Sequence, residues 1–152
     1  MSRIRTVKPE LFRHEELFEL EQETGLPIRV SFIALFTVCD REGRFKWRPR
    51  QLKLDCLPYD EVDFSRVLDA LITRGFVVRY EISGVDYGLI PSFTRHQVIN
   101  NRESNSYLPA PPDYSSNNCV AVDYQDESII TEQSNNDYSR VSHASATRHN
   151  LA

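Results

Sequence analysis

The chain has 152 residues, 40% of them hydrophobic, with 18 Lys and Arg against 22 Asp and Glu for a formal net charge of -4. Such a chain can build one sizeable core with an appendage, and it is not a protein that coats polyanions through overall positive charge. The start, MSRIRTVKPELF, lacks the apolar run of a secretory signal, no stretch nears the ~20 apolar residues that span a bilayer, and Cys39, Cys56 and Cys119 lack metal spacing, so buried, reduced thiols in a cytoplasmic protein are expected.

In chain order, Ser2 to Pro9 reads as an extended basic arm carrying Arg3, Arg5 and Lys8. An acidic helical stretch follows from about Glu10 to Glu23, with Leu11, Leu17, Phe18 and Leu20 as its apolar face, and Gly25 and Pro27 end it. From Pro27 to about Asp40, Ile28, Phe32, Leu35, Phe36 and Cys39 recur near helical spacing and predict the central core helix. Gly43 breaks that pattern, Arg44 to Trp47 alternate as a short strand, and Pro49 opens a second helix running from Arg50 to about Leu57.

Asp63 is the expected N-cap of the clearest element, FSRVLDALITRG, in which Phe64, Val67, Leu68, Leu71 and Ile72 form one apolar stripe and Gly75 caps the far end. Phe76, Val78, Tyr80 and Ile82 then alternate as a half-buried strand, and the Ser83-Gly84 turn leads into a second strand over Val85 to Ile90. Helix, short strand, helix, helix, hairpin is the order of a winged helix-turn-helix, an α+β, mainly helical fold with a C-terminal β-hairpin wing. The predicted domain is 1–112. Residues 113–152 form a Ser/Asn-rich acidic tail with no sustained periodicity, expected to be disordered.

Charge is unevenly placed. Residues 1 to 113 hold 16 basic against 17 acidic side chains, while 114 to 152 hold 2 against 5, so the body is near neutral and the tail acidic. Within the body, REGRFKWRPRQLK from Arg41 to Lys53 concentrates six basic residues against one acid, Glu42, with Phe45 and Trp47 threaded between them. Guanidinium and ammonium groups neutralise phosphates and release counterions, which makes Arg44, Lys46, Arg48, Arg50 and Lys53 candidate DNA contacts. The alternative places Phe45 and Trp47 in the core of the small sheet and leaves the charges as a solvated face.

On the third helix of the set, Ser65, Arg66, Thr73 and Arg74 can reach base edges or phosphates, although Asp69 on the same face repels phosphate. After the hairpin, Arg95, Asn100, Asn101 and Arg102, with His96 and Gln97, offer further hydrogen-bonding groups, and the arm can enter a minor groove. No Walker A loop, paired catalytic carboxylates, nucleophile elbow or zinc spacing is present, so a protein without catalytic residues, metal or cofactor is expected.

Three long strings, RIRTVKPELFRHEELFELE, DREGRFKWRPRQLKLDCLPYD and RHQVINNRESNSYLPAPP, give residues 2 to 112 a further character. Together they resemble the N-terminal DNA-binding domain of phage and prophage replication proteins, the replisome-organiser or replication-initiation class. The resemblance implies a double-stranded-DNA-binding winged helix in a bacterial host cell, whose C-terminal region recruits a replicative helicase or its loader. Here the Ser/Asn-rich tail stands where that class has a longer, ordered C-terminal part. The residues themselves also leave open a protein-docking module for a helicase, loader or host factor, a winged-helix transcriptional regulator, and a homodimer.

Overall fold

A computed structural model describes residues 2–112. The tail expected to be disordered, 113–152, lies outside the described residues, as does Cys119 within it. The fold is α+β, with mutually packed helices and one antiparallel sheet of three strands. Among the described residues no helix is long and apolar enough to cross a membrane.

The single helical stretch expected from Glu10 is two pieces. Pro9–Arg13 forms a 3-10 turn, His14 is extended at φ -70 and ψ 108, and α1 runs Glu15–Thr24. The His14 ring packs edge-on against Phe76 at 5.3 Å, so the break lets the chain turn onto the core. Leu17 and Leu20 are buried as expected, whereas Phe18 is 48% exposed beneath the Arg29 guanidinium. Phe18 is one residue past Leu17, about 100° round the helix and off the buried stripe.

The central helix, α2 at Ile28–Val38, buries Ile28, Phe32, Leu35 and Phe36. It ends at Val38, and two residues on, the Asp40 Oδ1 accepts the backbone N–H of Glu42 and of Arg44 and so shapes the turn into β1, Arg44–Lys46. Pro49 starts α3, Pro49–Cys56, in the first-turn position where its missing N–H costs nothing. Asp63 caps α4, Phe64–Thr73, by accepting the Ser65 N–H at 3.0 Å, and Phe64, Val67, Leu68 and Leu71 point into the core. Gly75, at φ 77, ends the helix in the left-handed region that favours glycine.

Strands β2, Val78–Ile82, and β3, Val85–Leu89, form the hairpin, and β3 lies between β1 and β2. Ser83 and Gly84 both have positive φ, matching a two-residue turn whose twist suits the strands. Phe45 of β1 faces Gly88 of β3 and lies against it: a Cβ on Gly88 would fall 2.2 Å from the Phe45 ring. The sheet therefore needs glycine there to admit the aromatic ring. A final short helix, α5 at Phe93–His96, closes the domain.

Two segments without regular structure strap the core. Thr6 and Gln97 exchange hydrogen bonds at 2.9–3.0 Å, Tyr80 donates to the Pro109 carbonyl, and Ser106 bonds to Asp40. The stretch after the hairpin thus packs along the domain. Cys39 is buried and Cys56 half-buried, and burial pushes both thiols up, Cys56 to about 12, so both are protonated at neutral pH.

Candidate nucleic-acid interface

The basic run from residue 44 to 53 passes from a strand, through a helix N-terminus, onto a helix face. Lys46, Arg48 and Arg50 are exposed and Lys53 is half-buried, with its Nζ 3.3 Å from the Pro58 carbonyl. Arg50, Lys53 and Ser65 border one groove, formed between α3 and the start of α4. On the other side of α3, Arg3, Arg44, Lys46 and Arg48 border a second groove that also contains Asp40 and Asp55. Arg44 is only half-exposed there, because its Nη1 donates to the Leu108 carbonyl at 2.9 Å. It is held to the strap rather than extended from the surface.

The aromatics of the run are structural. Phe45 is 2% exposed, and Trp47 stacks on it at 6.0 Å while the Arg79 guanidinium sits 4.9 Å over the indole. The alternative reading of these two side chains is therefore the one the fold adopts for Phe45, with Trp47 half-buried beside it. Arg79 also pairs with Asp86 at 2.7 Å, which leaves the hairpin without an unpaired cation among the described residues.

On α4, Arg66, Asp69 and Thr73 are exposed and Ser65 is half-buried at the first turn. The Thr73 hydroxyl donates back to the Asp69 carbonyl at 2.8 Å. Arg74, expected on the same DNA-facing surface, turns instead to α1. It meets both carboxylate oxygens of Glu23 at 2.9 Å, with Glu19 at 3.9 Å. The acidic face of α1 is the nearer anion. If this surface binds duplex DNA, replacing Arg74 with Ala should leave the affinity within about twofold of the parent, whereas Arg66→Ala should weaken it several-fold, both read by fluorescence anisotropy.

The basic arm also needs correction. Arg3 and Arg5 do not extend from the domain: the Arg3 N–H donates to the Thr37 carbonyl, and both guanidinium groups reach the Cys39 carbonyl at the end of α2. Arg5 additionally bonds the Phe36 carbonyl, lies over the Phe93 ring, and makes a two-point pair with Glu103 at 2.8 Å. Its side chain is 3% exposed. Carbonyls at a helix C-terminus attract cations, and a carboxylate completes the site. Of the three cations of the arm, only Lys8 is exposed.

Arg95, Asn100, Asn101 and Arg102 are exposed beyond the hairpin, and Asn100 Oδ1 accepts the Arg102 N–H at 2.9 Å to close a local turn. None of the four borders either groove beside α3. Gln97 is buried in its exchange with Thr6. Among the described residues no group of three His, Cys, Asp or Glu side chains is placed to hold a metal.

Glu103 is the residue that the sequence did not single out. It collects Arg3 at 3.1 Å and Arg5 at 2.8 Å, and its carbonyl accepts from Arg41. The Arg5 hydrogen bonds hold its carboxyl below the usual carboxylate range. Its sequence signal was slight: it is the only acid between Asp86 and Asp113.

Comparison of the chain with protein-family models, with curated proteins and with solved structures returned no match.

Proposed function

We propose that this chain is a non-catalytic protein that binds duplex DNA through a winged helix, with α2, α3 and α4 as its three helices and the β2-β3 hairpin as its wing. The observation that carries this reading is the shared edge of α3 and α4. Exposed Arg50, with Lys53, borders one groove with Ser65 at the N-terminal turn of α4, the helix that this fold presents to the major groove; Arg66 is exposed on that same turn, and Arg48 is exposed on the other side of α3. The order α2, β1, α3, α4, β2, β3 and the β1-β3-β2 sheet support it. Phosphate contacts come from Lys46, Arg48, Arg50 and Lys53, and Arg66 is the candidate base reader.

Replication initiation of the phage or prophage type is the role proposed for that binding, on the three strings that resemble such proteins. A duplex carrying the replication origin of the source phage then binds tighter than random duplex. Fluorescence anisotropy across a salt series tests the interaction: with about four phosphates neutralised, log K falls with log salt at a slope near -3.6. No binding at low salt would remove the reading. It would favour the second one, a protein-docking module, which the paired Arg79 and the exposed Glu81 on the hairpin support.

A further inference from the structure

We infer that the acidic segment 119–130, CVAVDYQDESII, docks in cis into the groove between α3 and α4, over the same cations that the proposed function assigns to DNA phosphates. The groove is about 320 Å³, walled by Pro49, Leu54, Val62 and Phe64 and rimmed by Arg50 and Lys53. Leu54 is 58% exposed, an apolar side chain left to water next to two cations. Neither cation has an acidic partner among the described residues. Asp63, the acid of the groove, already accepts the Ser65 N–H as the cap of α4.

A ligand for this surface needs apolar side chains beside carboxylates and no competing cation. Segment 119–130 meets each condition: Val120, Val122, Ile129 and Ile130 accompany Asp123, Asp126 and Glu127, and no Lys or Arg follows residue 112 until Arg140. Reach is sufficient. Tyr107 and Leu108 border the groove on the Arg48 side of α3, so the strap passes beside that helix shortly before Pro112. From Pro112, an extended chain covers about 37 Å to Asp123, comparable with the ~34 Å diameter implied for a domain of this size.

Docked there, the segment competes with phosphates for Arg50 and Lys53. Weak contacts with random DNA are suppressed, while a site that also engages Arg66 can displace the segment. This consequence rests on the DNA-binding reading; the docking itself does not.

Zero-length carbodiimide cross-linking of the full chain without DNA, followed by peptide mapping of the monomer, tests the docking. The chain has three lysines, Lys8, Lys46 and Lys53, which makes the result easy to assign. The expected product joins Lys53 to Asp123, Asp126 or Glu127, and it disappears in the full-length D123N/D126N/E127Q variant, whose changes lie outside the described residues. That variant should also bind random duplex at least about threefold tighter at low salt. Lys53 joined to none of the three acids, or Lys8 joined to them as often as Lys53, overturns the proposal. Because the cross-link is read without DNA, failure of DNA binding alone leaves it standing.

Discussion

Changing Arg50 and Lys53 together to Ala should weaken duplex binding about 30-fold, from the loss of two charge-assisted contacts at ~1 kcal/mol each. The slope of log K against log salt should fall by about 1.8 in the same variant, because two fewer counterions are released. Folding should change little. Arg50 is exposed and the Lys53 ammonium makes a single 3.3 Å contact with a carbonyl, so thermal denaturation of the variant should stay close to that of the parent. An affinity unchanged in both magnitude and slope would mean that DNA, if bound, lies elsewhere on the domain.

A large stability effect should come from Glu103→Ala. Removing the carboxylate leaves the Arg5 guanidinium, 3% exposed, with backbone carbonyls but no counter-charge. Breaking a buried pair from one side costs about 3 kcal/mol or more. Arg3, 28% exposed, contributes less because water can reach it. Urea denaturation should show this loss, with Glu103→Gln intermediate, since the amide keeps hydrogen-bonding capacity but not the charge.

The same pair sets a pH dependence. The Glu103 carboxyl is held below its ordinary value of 4.5, first by hydrogen bonds from Arg5. A group depressed on folding stabilises fully above its unfolded value and loses that contribution as pH falls through the folded one. The parent should therefore lose stability below pH 4.5 more steeply than Glu103→Gln. His14 acts in the same direction: burial lowers its pKa from 6.5, so protonation below that value favours the unfolded chain. Parallel denaturation curves for parent and Glu103→Gln from pH 6 to 3 would contradict the assignment to Glu103.

Local pattern accounts for the elements that the sequence made legible. The α4 stripe, its Asp63 cap, the Ser83-Gly84 turn and Pro49 at the start of α3 each depend on residues within a few positions of one another, and all appear in the fold. Boundaries moved by a residue or two where caps compete, as at the end of α3. Arginine partners were not legible in that way. Arg5 meets Glu103 across 98 positions and Arg74 meets Glu23 across 51, so neither pair leaves a periodic trace. A cluster of cations in sequence signals an anion, but not whether that anion is a phosphate or a carboxylate of the same chain. The run from 44 to 53 divides accordingly: Arg44 is bound to the strap, while Lys46, Arg48 and Arg50 remain at the surface.

Amide chemical-shift mapping of the isotopically labelled full chain during titration with a short duplex tests the central claim most directly. The account predicts perturbations concentrated over Lys46 to Lys53 and Ser65 to Asp69, reversed by added salt. Shifts confined to α1 or to the Arg3, Arg5 and Glu103 cluster, or no shifts at low salt, would contradict it.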